Sequence, residues 1–336
     1  MDNNAHLPTP PPPEVVPSVE SLVALRHAAR DFVFFPRLKP NSSLAGPHHT
    51  RFRGRGMDFD EVRPYQPGDD MRSIDWRVTA RTNTTHTKLF REERERPVYL
   101  LTDLRQTMFF GSQRMKSVVA CEISAALAWA GLNSGDRVGG LVFGNSQFND
   151  IRARRSHHAA LALIRVLNET STSLCQAQAD TFTLHDMLQD LRRIAHPGAA
   201  LMIISDFHDL SADPRNERHL FEMARRCDIT LFHVYDPLEA ALPPPGNYPL
   251  RGPLGRRSLD TRNTAQRQAF EQAFDARCQH LKQLATKLQM GYLTFSTNTG
   301  GSSDVVSTLN QHYGKARSRK ARRSSQSKPH IQAAEA

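Results

Sequence analysis

Apolar and polar positions change rhythm at residue 97. From there, short apolar runs bounded by polar or turn residues alternate with longer segments whose apolar residues recur every three or four positions. VYLLTD at 98–103, ALMIISDF at 200–207 and ITLFHVYD at 229–236 read as buried strands, because continuous apolar runs of this length suit a sheet covered on both faces. DRVGGLVFG at 136–144 adds a strand opened by the turn SGD. FNDIRAR at 148–154 reads as an edge strand paired to it, and GYLTFST at 291–297 as the last strand. Over 114–133, Met115, Val118, Val119, Ile123, Ala126, Leu127 and Ala130 fall at helical spacing. Helices also fit 157–169, 183–195, 217–227 and 302–313, the last with a serine cap. The segment 264–290 predicts a long amphipathic helix with Phe270, Phe274, Leu281 and Leu288 on one stripe, and 243–261 a hairpin or protruding loop. Strands alternating with helices predict an α/β domain over 97–313, with a doubly wound, mostly parallel sheet.

Upstream this rhythm is lost. Residues 1–17 are proline-rich and predict an extended, disordered tail. A short helix fits 18–30. Between 31 and 96, Gly54, Gly56 and Gly68 with Pro36, Pro40, Pro64 and Pro67 break any long element, so 18–96 predicts an N-terminal β-rich elaboration of short strands and loops. Residues 314–336 hold the basic run KARSRKARRSSQSK and predict a disordered tail.

The 336 residues are 39% hydrophobic and 23% charged, enough for a substantial core. No apolar run approaches bilayer-spanning length, and no basic stretch followed by an apolar one opens the chain; the expectation is a cytoplasmic protein without a transmembrane segment. Cys121, Cys175, Cys227 and Cys278 are far apart and form no CxxC pair, which predicts buried thiols rather than zinc or disulfides. Net charge is +10, much of it in the basic tail. That run suggests nucleic-acid binding as an alternative function, but it lacks interleaved aromatics for base stacking, so a solvated tail is expected and nucleic acid is not expected as a partner. No GxGxxG follows the first strand, and neither GxxxxGK[ST] nor GxSxG occurs. A dinucleotide enzyme, a P-loop ATPase and a nucleophile-elbow hydrolase are therefore not predicted. The pairs His48-His49 and His157-His158 are adjacent rather than four apart and predict no shared metal.

Open parallel sheets bind ligands at the carboxyl ends of their strands. Asp103 and Asp206 lie at two such ends, with Arg105, Thr107, Ser205 and His208 beside them. Paired carboxylates with hydroxyls suit a hard cation such as magnesium. The run Asp103-Leu104-Arg105-Gln106-Thr107 resembles the DxSxS of the metal-ion-dependent adhesion site in von Willebrand factor A domains. SDF at 205–207 resembles the later strand-end aspartate of that site, and either Thr181 or Thr183 matches the loop threonine that completes it. The resemblance implies Asp103, Thr107 and Asp206 as metal ligands in a degenerate site. Arg105 replaces a ligand serine: a guanidinium cannot ligate a cation, and could instead pair with Asp103 or Asp206. Two readings stand, a magnesium site and a relic site closed by an internal Arg–Asp bridge; no cofactor is required.

A second resemblance is longer. In RGRGMDFDEVRPYQPGDDMRSIDWRVTAR, the positions Gly54, Gly56, Phe59, Arg63, Tyr65, Gly68, Asp69, Asp70, Arg72, Ile74, Asp75, Trp76, Ala80 and Arg81 match a pattern of a bacterial family. That family is known only as domain of unknown function fifty-eight; MFFGS at 108–112, Lys116 and GDRVGGLVF at 135–143 extend the likeness. It implies a von Willebrand A-like fold, in the family's short soluble form. The implied partners are a MoxR-type AAA+ ATPase and other von Willebrand A-like proteins of the same system. The expected function is that of a non-catalytic adaptor, not an enzyme, in protein maturation, complex assembly or envelope stress. Arg63, Tyr65, Asp69, Asp70, Arg72, Asp75 and Trp76 are the candidate partner-binding residues, with an internal scaffold of Arg–Asp pairs as the second reading of the same segment. A metal-dependent hydrolase is the remaining alternative, suggested by Asp58, Asp60, Glu61, Asp69 and Asp70 and opposed by the arginines interleaved with them.

Overall fold

The computed structural model describes residues 11–31, 57–92, 97–176, 179–252, 255–298 and 301–313. Pro36, Pro40, His48, His49, Gly54, Gly56 and the basic tail from 314 lie outside the described residues. In chain order the first elements are helix α1 (Val19–Ala28), strand β1 (Met57–Pro64), helix α2 (Trp76–Thr82) and strand β2 (His86–Glu92). Then come β3 (Pro97–Asp103), α3 (Lys116–Asn133), β4 (Arg137–Phe143), β5 (Phe148–Arg154), α4 (His157–Ser173) and α5 (Leu184–Ile194). Next are β6 (Ala200–Ser205), α6 (Pro214–Ala224), β7 (Asp228–Tyr235), α7 (Pro237–Ala240), β8 (Asn247–Gly252) and β9 (Gly255–Asp260). The last are α8 (Thr264–Lys287), β10 (Gly291–Ser296) and α9 (Ser302–Tyr313). The chain divides into two compact units, one of residues up to 36 and from 96 onward, the other of residues 37–95.

The larger unit is built on a six-stranded sheet of order β10-β7-β6-β3-β4-β5. Every neighbouring pair is parallel except β4–β5, which is antiparallel. This is a von Willebrand factor A-like α/β sheet, with β8–β9 as an added hairpin. Alternation along β3 sends Val98 and Leu100 into one core and Tyr99 and Leu101 into the other. The first core is closed by α1, α3, α4 and α9, the second by α5, α6 and α8. Helix α3 is buried from Lys116 through Gly131, as expected of a helix covered all round.

The boundaries differ from the sequence reading in informative ways. Residues 11–17 were expected to be extended and disordered; instead Val16 is buried, the Met115 N–H donates to Glu14 O at 2.9 Å and Asn168 Nδ2 donates to Pro17 O at 2.8 Å. Helix α1 belongs to the α/β unit because Leu22, Leu25 and Ala29 share a buried face, where Trp129 Nε1 donates to Leu22 O at 3.3 Å. Helix α6 begins at Pro214, three residues before the expected start, because Asp213 caps it and proline suits the first helical position. On α8 the stripe is buried at Phe274 and Leu281 but exposed at Phe270, so the first turns leave the core. Cys121 and Cys227 are buried as expected, whereas Cys175 is exposed.

His233 on β7 is fully buried; its Nδ1 meets the Tyr292 hydroxyl at 3.0 Å and its Nε2 has no partner. Burial first, and Arg277 second, push its pKa down to about 4 from the usual 6.5. The unfolded chain takes up this proton near pH 6.5 while the folded chain resists it, so stability falls as pH falls from about 6.5 to about 4. The loss is about 3 kcal/mol over that window. Urea midpoints of the wild type and His233→Gln between pH 7 and 4.5 check this: the variant is expected to have the shallower slope, and equal slopes would remove the assignment.

Candidate functional site

Strands β3 and β6 are parallel neighbours in register, so their carboxyl ends bring Asp103 and the Ser205-Asp206 pair side by side. Asp103 is fully buried. Its Oδ1 accepts from the Arg105 backbone N–H at 3.1 Å and from Arg105 Nε at 2.9 Å. Its Oδ2 accepts from Arg105 Nη2 at 2.8 Å and from Ser205 Oγ at 2.7 Å. The outer edge of the same guanidinium donates to Asp209, from Nη1 at 2.8 Å and Nη2 at 3.2 Å. Arg105 therefore makes a two-pronged bond on each side, the geometry its planar fork favours. Burial alone would lower its pKa; the charges and bonds of Asp103 and Asp209 outweigh it and the net shift is upward. Burial would raise Asp209, but Arg105 and the Leu184 N–H hold it below the usual carboxylate range.

A second internal cation sits beside the first. Lys116, at the start of α3 and only 1% exposed, donates from Nζ to Asp206 Oδ2 at 2.8 Å and to Glu239 Oε1 at 2.7 Å. Asp206 Oδ1 accepts from the His208 N–H at 3.1 Å. Burial opposes charge on both partners, yet Lys116 is raised and Asp206 lowered by their mutual attraction. Glu239 is held in turn by a capping box on α7, in which its Oε2 accepts from the Asp236 N–H at 3.0 Å. Asp236, at the end of β7, is itself buried and accepts from the Ser112 N–H at 2.7 Å, Ser112 Oγ at 2.9 Å and the Thr297 hydroxyl. The carboxyl ends of β3, β6, β7 and β10 are thus tied together by buried carboxylates, two of which hold internal cations.

These bonds bear directly on magnesium. An ion of that kind needs a near-octahedral set of oxygens at about 2.0–2.1 Å. Both oxygens of Asp103 already accept from Arg105, and both of Asp206 already have donors. The residues as arranged do not fit the ion; Arg105 and Lys116 supply the positive charge instead. Thr107 Oγ1 is buried without a partner, the one oxygen of the expected ligand set left open. The Thr183 hydroxyl is engaged with Asp186 in the capping box of α5, and Thr181 is anchored through its backbone N–H to Asn145 O at 2.7 Å. Among the described residues, no group of three or more His, Cys, Asp or Glu side chains is arranged to hold a metal ion. Sequence reasoning passed over Asp209, Asp236 and Glu239, and met Lys116 only as part of a motif. Two signals were available: a lysine opening an otherwise apolar helix, and the D-P-x-E start of α7.

The smaller unit carries the charged signature. Strands β1 and β2 pair antiparallel with an irregularity between Phe59 and Glu61. The loop between them turns at Gly68, whose φ of +108° suits glycine. Arg63 Nη2 donates to Asp69 Oδ1 at 2.7 Å, and Asp69 Oδ2 accepts from the Gln66 N–H at 2.9 Å. Asp70 accepts from the Arg72 N–H at 3.0 Å. Asp75 caps α2 by accepting from the N–H groups of Arg77 at 3.0 Å and Val78 at 3.2 Å, and lies 3.4 Å from Lys88 Nζ. Helix α2 was expected to be loop. Tyr65 is half-buried and its N–H donates to Thr85 O at 2.8 Å. Met71 and Trp76, by contrast, are 70% and 69% exposed.

A von Willebrand A-like sheet whose strand-end carboxylates hold internal arginine and lysine is thus joined to a hairpin unit with an Arg–Asp-stapled loop. The family described as "Protein of unknown function DUF58" matches residues 61–280, and the chain belongs to it. Two relatives are the uncharacterized proteins Rv1480 of Mycobacterium tuberculosis and Mb1516 of Mycobacterium bovis. Each is 29% identical over 229 residues, spanning 68% of this chain and 70% of the relative. Among solved structures, the conserved hypothetical protein BatB from Bacteroides thetaiotaomicron has a TM-score of 0.41 at 13% identity, covering 64% of this chain and 98% of that one. The manganese-loaded TRAP protein of Plasmodium vivax has a TM-score of 0.31 at 11% identity, covering 66% of this chain and 73% of that one. Both are distant likenesses, and the fold assignment rests on strand order and direction. No helix among the described residues is long and apolar enough to cross a membrane.

Proposed function

We propose that this protein is a non-catalytic adaptor that works in the cytoplasm with a MoxR-type AAA+ ATPase and the von Willebrand A-like proteins of the same system. Its role would be in protein maturation, complex assembly or envelope stress. Family membership supports the setting. The observation that carries the interaction reading is the exposure of Trp76 and Met71 inside the family signature, where every named aspartate is spent on local structure. A large exposed tryptophan on a rigidly capped helix is the kind of anchor that dominates protein interfaces. The reading requires no cofactor, since Arg105 and Lys116 already neutralise the strand-end carboxylates.

The test is affinity purification of the tagged protein from its own cells with ATP and magnesium, read by mass spectrometry. Recovery of an AAA+ ATPase is expected. Trp76→Ala should reduce that recovery by about tenfold or more, as loss of an interface anchor does. It should shift stability by no more than about 0.5 kcal/mol, because the side chain is exposed. Wild-type protein that recovers no ATPase would overturn the reading.

A further inference from the structure

We infer that the exposed face of α2 and the turn before it form a docking site for a carboxylate-rich segment of a protein partner; this rests on the adaptor reading and gives its contact a chemistry. Trp76 and Ala80 lie one helical turn apart, as do Arg77 and Arg81, and all four are exposed. Met71 and Arg72 extend the same exposed run. Asp69 is consumed by Arg63 and the Gln66 N–H, and Asp75 by the cap of α2 and Lys88. Among the described residues the side chains of Arg72, Arg77 and Arg81 make no ion pair, and the exposed Asp70 has its Oδ1 turned to the Arg72 N–H. Three exposed guanidiniums on the same short stretch as an exposed tryptophan and methionine match a partner that offers carboxylates around an apolar pocket.

The chain itself does not supply that partner. It carries a net charge of +10, and its acidic clusters at 58–61 and 92–95 are flanked by arginines, so a second copy is not complementary. Nucleic acid would satisfy the arginines but not Met71, which offers no stacking face; an apolar anchor beside arginines favours a protein surface.

The experiment places the photo-crosslinker p-benzoylphenylalanine at position 76 of the full-length chain, in its own cells. The crosslinked peptide is identified with and without the double substitution Arg77→Glu/Arg81→Glu. The expected result is a protein segment with clustered Asp or Glu. Crosslinking should fall about tenfold or more on charge reversal, and return when the partner's acidic residues are changed to arginine. Urea midpoints of the variants confirm that the fold is kept. Crosslinks to nucleic acid, to a second copy or to a neutral or basic segment would overturn the inference, as would no crosslink or a yield that survives charge reversal. The two readings separate cleanly. An acidic segment on a protein other than an AAA+ ATPase keeps the docking chemistry and removes the ATPase. An ATPase recovered through contacts indifferent to positions 76, 77 and 81 does the reverse.

Discussion

Lys116→Met is expected to destabilise the α/β unit by about 3–5 kcal/mol, the cost of breaking a buried ion pair from one side. Methionine matches the aliphatic length of lysine but leaves Asp206, which is buried, and Glu239 without their shared cation. The pH dependence gives a signature that lost packing alone would not. In the wild type Asp206 is held well below the usual carboxylate range, so its contribution is present above pH ~3.9 and fades as pH falls through its folded value. Without Lys116 the same carboxyl is buried and unpaired, its folded pKa rises, and the deficit shrinks as pH falls and the group takes a proton. The double variant Lys116→Met/Asp206→Asn should recover part of the loss, because a buried pair replaced on both sides costs far less than one broken on one side. Urea denaturation at pH 7 and pH 5 measures all three. A single variant within about 0.5 kcal/mol of wild type, the range of an ordinary surface change, would show that this network contributes nothing to stability.

Strands β3, β6 and β7 were legible because each is a continuous apolar run. The edge strand β5 was legible for the opposite reason, alternating exposed and half-buried positions. Helix α2 was not, since no residue in it is buried and no apolar stripe announces it. It is held by the Asp75 cap at one end and by Asn83, in the left-handed region at φ 57°, at the other. The site divides the same way. Asp103 and Asp206 could be placed from strand ends alone, and a pairing of Arg105 with Asp103 spans only two residues. Lys116 meets Asp206 across 90 positions and Glu239 across 123. Nothing local in the sequence encodes such encounters; they follow from strand order, which brings β3, β6 and β7 side by side.

This arrangement also changes what the strand-end face can do. A magnesium ion on strand-end carboxylates would keep several waters, any of which an incoming carboxylate could replace. Here both strand-end carboxylates are buried and fully engaged, and the positive charges that hold them are covalently part of the chain. Among the described residues, Arg72, Arg77 and Arg81 on α2 and its preceding turn are exposed and make no ion pair, within the unit that bears the family signature.

Arg105→Ser is expected to convert the site from one that ignores magnesium to one that responds to it. Without the ion the variant should lose about 3–5 kcal/mol, because Asp103 is left buried with only Ser205 and a backbone N–H to satisfy it. The substitution also removes the charge that repels a cation and supplies a hydroxyl at the matching position, two residues before Thr107, whose Oγ1 has no partner. Magnesium should then stabilise the variant by mass action, by about 2.7 kcal/mol at a hundredfold excess over its Kd, and leave the wild type unmoved. Adding Asp103→Asn to the variant should abolish the response, since an amide brings no charge to the ion. Melting temperature against magnesium concentration, with calorimetry of the folded variant, reads both effects. A variant that folds and shows neither a magnesium-dependent melting shift nor a heat of binding would mean that Arg105 is not standing in for an ion. The strand-end carboxylates would then serve only to bind the sheet's carboxyl edge together.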